Sequence, residues 1–187
     1  MRHPPMTVVV YGDYYCGCAG GGFCSMSLRR LCHRVKATEP HRWGRRLTRL
    51  VEAAVRGLAA RLPADAAVVP VPTSSVPYTD SLAEMLAESL GRAAVVHALR
   101  REQRRESIYE LKKRGVTVRE EDTGIVAGTD ADYGAALRGR PVVLIDNVIA
   151  TGTTMSAALG VLEGMGIDRK DVICAAIACD SAVFSEK

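Results

Sequence analysis

No apolar run in this chain approaches the ~18 residues that a membrane-spanning helix needs. The run near the N-terminus, Val8 to Val10, also falls short of the ~7–15 apolar residues of a secretory leader, and no small-residue cleavage site follows it. The chain is therefore expected in the cytoplasm, with no membrane partner. Its 17 Gly and 8 Pro are too few for a low-complexity or collagen-like chain, and no internal repeat is present. Acidic residues are scarce in the first fifty positions, where only Asp13 and Glu39 face nine Lys and Arg. That stretch carries +7 of a net +4, and the rest, with 16 bases and 19 acids, carries −3. Two readings fit the basic quarter: a solvated Arg-rich helix, or a surface that attracts polyanions such as nucleic acid or phosphorylated small molecules.

What is present is ordinary for a globular domain: 187 residues, 48% apolar, 25% charged, with a mean hydropathy near zero. Thr7 to Tyr11 suits a short strand. Trp43 to Leu62 has a helical stripe of Leu47, Leu50, Val51, Ala54, Val55, Leu58 and Leu62, and Pro63 stops it. Ala67 to Val71 suits a strand and Pro72 to Pro77 a loop. Ser81 to Glu84 reads as a capping box opening a helix that ends at Gly91. Ala94 to Ala98 is a further strand candidate. Val142 to Ile145 is a strongly apolar strand, followed by a helix with Met155, Ala158, Leu159 and Leu162 inward and then a last strand, Val172 to Ala178. Apolar strands alternating with amphipathic helices indicate an α/β fold, a parallel sheet with helices on both faces. Between Leu99 and Pro141 charged residues dominate, as in a functional lid or small insertion.

The most informative segment is Val142-Val143-Leu144-Ile145-Asp146-Asn147-Val148-Ile149-Ala150-Thr151-Gly152-Thr153-Thr154. A strand that runs into a Gly- and Thr-rich turn and then a helix makes an anion site at the carboxyl edge of a parallel sheet. Gly152 lets backbone approach a ligand, and the N–H groups and hydroxyls of Thr151, Thr153 and Thr154 suit a phosphate. Asp146 can accept bonds from vicinal sugar hydroxyls. These parts together describe a sugar phosphate. A dinucleotide Gly-x-Gly-x-x-Gly turn and a P-loop Gly-Lys-Ser/Thr ending are both missing.

At these residues the sequence resembles the type I phosphoribosyltransferases. Their signature is an apolar strand, two acids, two or three apolar residues and Thr/Ala-Thr-Gly-x-Thr. The resemblance implies a ribose 5-phosphate cradle of Ala150, Thr151, Gly152, Thr153 and Thr154, with Asp146 and Asn147 at the catalytic positions. Asn147 stands where the family has a second acid. Upstream, Val69-Pro70-Val71-Pro72-Thr73-Ser74-Ser75 lies where such enzymes bind pyrophosphate, a role implied for Thr73, Ser74 and Ser75. The family's cationic lid would fall on Arg104, Arg105, Lys112, Lys113 and Arg114, which a solvated helix face explains equally. The implied chemistry uses phosphoribosyl pyrophosphate with Mg2+, a nitrogen acceptor of nucleobase type, and release of pyrophosphate.

Cys16, Cys18, Cys24 and Cys32 are the candidate ligands of a structural Zn2+, with His33 an alternative fourth; reduced thiols or a redox role are the other readings. Cys174 and Cys179 bracket the last strand and suit the core. A Cys cluster, a basic helix, Val-Pro-Val-Pro and then the phosphoribosyl loop is similar in layout to ComF-family proteins. Their Arg-Gly-Phe-Asn segment is replaced here by Thr73-Ser74-Ser75-Val76-Pro77-Tyr78. The expected organisation is a Cys-rich basic N-terminal segment over residues 1–42 and a phosphoribosyltransferase-like domain over 43–187. A ligand-responsive, nucleic-acid-associated protein is the alternative to an enzyme, and a homodimer is among the candidate assemblies.

Overall fold

The computed structural model describes residues 7–13, 28–74, 76–102, 114–129 and 132–179. A five-stranded sheet forms its centre, in the order β1 (Thr7–Asp13), β7 (Val172–Cys179), β6 (Val142–Ile149), β2 (Ala67–Pro70) and β3 (Ala94–Val95). Every pairing in it is parallel. Parallel strands are joined by crossovers that cover both faces, which is why the central strands are apolar in continuous runs rather than alternating. Val142 to Ile145 are all fully buried, as are Ala67 to Val69 and Cys174 to Ala178.

Alternation along these strands divides the core into two layers. Val68, Val143, Ile145, Ala175 and Ile177 pack with α1 (Leu28–Ala37), α2 (Arg45–Ala59) and α3 (Tyr78–Leu90). Ala67, Val69, Val142, Leu144, Cys174 and Ala176 pack on the opposite face, with α4 (Tyr133–Leu137) and α5 (Thr153–Gly164). Cys174 and Cys179 are buried there, as their strand position predicts.

The α2 stripe buries Leu47, Val51, Ala54, Val55 and Leu58 and leaves Arg45, Arg46, Arg49 and Arg56 exposed. The helix is shorter than the apolar pattern, because the chain already leaves helical geometry before Pro63. α3 begins at Tyr78, directly after Pro77, so Ser81 lies inside the helix rather than at its cap. A proline at the helix mouth sets a compatible φ and has no N–H to leave unpaired, and this overrides the Ser81–Glu84 signal. Gly91 closes α3 at φ +79°, as its type predicts. The polar stretch after Leu99 contains a small antiparallel sheet of β4 (Leu99–Arg101) and β5 (Ile125–Ala127) that the pattern does not reveal.

Part of the expected N-terminal segment belongs to the same core. β1 lies along β7 from Thr7 opposite Ile173 to Asp13 opposite Cys179, and α1 buries Leu28, Leu31, Cys32 and Val35. A Cβ added at Gly12 would sit 2.5 Å from Leu28 Cδ1, so strand and helix are in close contact. Leu28→Ala is expected to cost about 2–5 kcal/mol, the range for a buried leucine truncated in a packed core. Urea unfolding checks this, and a negligible loss would mean that α1 is a dispensable appendage.

Candidate active site

β2 and β6 are hydrogen-bonded neighbours, yet the chain leaves them toward opposite faces. After β2 it enters α3 in one layer, and after β6 it enters α5 in the other. Such a divergence opens a crevice beyond the carboxyl ends of the two strands, where parallel sheets bind ligands. The described residues that follow the two strands here are 71–74, 76 and 77 after β2 and 150–152 after β6.

Asp146, half-buried, is the fifth of the eight residues of β6 and the first beyond the stretch paired with β2; the strand runs past the expected end at Ile145 to Ile149. The backbone N–H of Asn147 donates to its Oδ1 at 2.6 Å. Burial pushes the carboxyl up to about 6, against the pull of that hydrogen bond and of the Lys36 and Arg101 charges. Tyr78 lies nearby with its side chain buried, and its hydroxyl is pushed upward by burial and then by the Asp146 charge. Arg101 spans the loops: its Nε donates to Pro72 O at 2.9 Å and its Nη1 to Thr123 O at 2.7 Å. Tyr78, Lys36 and Arg101 therefore share the field of Asp146. None has a local sequence signal; Arg101 is one arginine among many in a charged stretch, and only the fold brings it to β6.

The second loop opens α5. Gly152 is its N-cap at φ +77°, a conformation that side-chain-bearing residues rarely adopt, and a Cβ there would meet no atom within 4 Å. The space above Gly152 is open to a ligand. Ser156 N–H is bonded to Gly152 O at 2.8 Å, so the N–H groups of Thr153, Thr154 and Met155 precede the intrahelical ladder. They and the helix dipole favour an anion. Thr151 Oγ1 and Thr153 Oγ1 lie 3.1 Å apart, Thr151 and Ala150 are exposed, and Thr154 is half-buried. Residues 150–154 thus surround one helix mouth, with Asp146 on the strand that feeds it.

In the other loop, Val71 N–H bonds Ile145 O at 2.9 Å and carries the pairing one residue past β2. Thr73 Oγ1 donates to Val76 O at 2.7 Å and closes the turn, while Ser74 is exposed. Ser75 lies outside the described residues, as do Arg104, Arg105, Lys112 and Lys113; Arg114 is exposed in a turn. Asn147 is placed differently from Asp146. Its side chain is 2% exposed and turned to α1, where Nδ2 donates to Cys32 O at 2.8 Å.

The candidate Zn2+ site finds no support. Cys32 packs in the core with its thiol directed to Asn147 O at 3.8 Å, and burial raises that thiol to about 12, far from the thiolate a zinc ligand supplies. Cys16, Cys18 and Cys24 lie outside the described residues, and among the described residues no three His, Cys, Asp or Glu side chains gather as a metal group. No described helix is long and apolar enough to cross a membrane.

A carboxyl raised above its unfolded value favours folding while protonated and loses that contribution as pH rises through about 6. Asp146→Asn should therefore match the wild type near pH 4 and unfold at a higher temperature than the ligand-free wild type above pH 7. Thermal unfolding across that range checks it; equal midpoints at pH 7.5 would show that burial of Asp146 carries no penalty.

The match with known proteins follows the same elements. A family model of the phosphoribosyl transferase domain matches residues 46–182, which is 137 of the 187 positions and runs from α2 past the end of β7. No curated protein matches the chain. With four of the five sheet strands, the β2–β6 crevice and the Gly152 helix mouth inside the matched region and β1 outside it, the chain belongs to the phosphoribosyl transferase domain family.

Proposed function

We propose that the protein is a cytoplasmic phosphoribosyltransferase that takes phosphoribosyl pyrophosphate with Mg2+, joins C1 of the ribose to a nitrogen nucleophile of nucleobase type, and releases pyrophosphate. The observation that carries this reading is the pairing of one carboxylate, Asp146, with the open Gly152 helix mouth at the β2–β6 crevice. A ribose 5-phosphate has a matching polarity, with an anion at one end and vicinal hydroxyls near the other. In this arrangement the N–H groups and hydroxyls of residues 150–154 hold the 5-phosphate, and Asp146 accepts from the ribose hydroxyls. The pyrophosphate is assigned in this reading to Thr73, Ser74 and Ser75, and Arg101 donates to Pro72 O just before them.

The protein's contribution is positioning and charge, since the C1–O bond to pyrophosphate breaks as a C1–N bond forms with little covalent help from side chains. Among the described residues no three His, Cys, Asp or Glu side chains gather, so Mg2+ would be held chiefly by the ligand's own phosphates, with the Asp146 carboxylate as the hard oxygen donor of the crevice. When bound, it neutralises charge that builds on the departing pyrophosphate. Arg104, Arg105, Lys112, Lys113 and Arg114 are the proposed lid cations, closing over that group and excluding water.

A second reading draws on the basic surface. Exposed Arg29, Arg30, Arg34 and Lys36 of α1 and Arg45, Arg46, Arg49 and Arg56 of α2 give this part of the protein a strong positive face. It supports a ComF-like protein that responds to phosphoribosyl pyrophosphate and associates with nucleic acid.

Calorimetric titration of Mg2+ and phosphoribosyl pyrophosphate tests the site. The wild type should bind, and Gly152→Val should bind at least about tenfold more weakly, a difference of about 1.4 kcal/mol, because a β-branched residue is strained at φ +77° and fills the phosphate space. No binding to the wild type would sink the proposal. Pyrophosphate release with a panel of nucleobases then separates the readings: release supports the transferase, whereas ligand binding without release, joined to salt-sensitive nucleic-acid binding, supports the second.

A further inference from the structure

The residue that follows the crevice carboxylate makes two hydrogen bonds in different directions. Asn147 donates its backbone N–H to Asp146 Oδ1 at 2.6 Å and its side-chain Nδ2 to Cys32 O of α1 at 2.8 Å. The Cys32 thiol in turn faces Asn147 O at 3.8 Å, so the strand end and the helix exchange contacts both ways. The acceptor opposite the side chain is a backbone carbonyl, which has no proton to give. The atom that meets it must be a donor, and this fixes which way the amide points. Asn147 Oδ1 is also buried and has no partner among the described residues, so the Nδ2 bond to Cys32 O is what this amide contributes there. An ionised carboxylate in this place would set oxygen against oxygen in a site 2% exposed, the costly form of polar burial.

We propose that Asn147 is a positioning residue: its side-chain amide docks α1 against the carboxyl end of β6, and that anchorage holds the backbone N–H that aims the Asp146 carboxylate into the crevice. An acid here would therefore loosen the site rather than complete a catalytic pair. The effect on ligand rests on the phosphoribosyl reading, whereas the docking and the aim of Asp146 do not.

Three measurements on the full chain test the proposal. The first is thermal unfolding of Asn147→Asp and Asn147→Ala in an Asp146→Asn background, which removes the neighbouring carboxyl. The remaining groups near that end of β6 are Cys32 and Lys36 of α1, Tyr78 of α3 and Arg101 of β4, and these are common to all the variants. Asn147→Asp should recover stability from pH 8 to pH 5, because its protonated carboxyl can again donate to Cys32 O, while Asn147→Ala recovers none. Equal midpoints for Asn147→Asp and its Asn147 parent at pH 8, or no recovery at pH 5, would overturn the docking.

The second readout is the backbone amide resonance of residue 147 in ligand-free protein. In wild type it should shift as Asp146 titrates, and the shift should shrink in Asn147→Ala. It should persist in Cys32→Ala, which keeps the accepting carbonyl and loses only the thiol. An unchanged shift in Asn147→Ala would reduce the residue to a structural role and overturn the positioning claim.

The third is affinity for Mg2+ and phosphoribosyl pyrophosphate, measured well below the unfolding temperature, where Asn147→Ala should bind at least about tenfold more weakly than wild type. Equal binding would count against positioning. If the wild type itself binds none, the phosphoribosyl reading fails, and the first two measurements still decide the role of Asn147.

Discussion

Strand β6 is buried on both faces and hydrogen-bonded on both edges, and the crevice depends on that constraint. Its pairing with β2 ends at Ile145, while its pairing with β7 runs on to Ile149. Where β2 stops, the sequence turns from Val-Val-Leu-Ile to Asp146; β6 continues to Ile149 and then leaves for α5, while β2 has departed for α3 on the other face. The carboxylate, the glycine helix mouth and the residues that follow β2 are brought to one edge of the sheet by this divergence. Arg101 then bonds Pro72 O and Thr123 O, so the small β4–β5 sheet is tied to the same rim.

The crevice sets local stability against chemistry. Asp146 is raised by burial although Lys36, Arg101 and a backbone N–H all favour its charged form. A group held in that balance is poorly satisfied alone and better satisfied when hydroxyl donors arrive, the behaviour expected of a residue that reads a sugar. Thr79 Oγ1 and Asn147 Oδ1, both buried and without partners among the described residues, lie at the start of α3 and the end of β6. Among the described residues, the buried side-chain atoms without a hydrogen-bond partner thus fall on the two elements that flank the crevice.

The N-terminal stretch shows how one segment can have two characters. Its composition is basic and Cys-rich, yet the described portion contributes an edge strand and a helix whose inner face is wholly apolar. Leu28, Leu31, Cys32 and Val35 turn inward, and Arg29, Arg30, Arg34 and Lys36 turn out. The charge that dominates the count is what remains on the surface after the helix has docked.

Periodicity by itself determined the parallel α/β class and placed strands at Ala67 to Val71, Val142 to Ile145 and Val172 to Ala178, although β6 runs on to Ile149; the Gly- and Thr-rich turn marked the Gly152 helix mouth, because positive φ leaves a local mark in composition. The segment from Val142 to Thr154 likewise carried the family, since strand, acid and phosphate turn are contiguous there. Other features had no local mark. The start of α3 at Tyr78 depended on Pro77 prevailing over a capping signal, and the three-residue strands β4 and β5 are too short for a period to show. Arg101, Tyr78 and Lys36 reach Asp146 from distant parts of the chain. The side of β6 on which Asn147 would lie, and the carbonyl it would meet there, were decided only when α1 packed beneath the strand. A residue's type is written in the sequence, but its hydrogen-bond partner 115 positions away is a property of the packed layers alone.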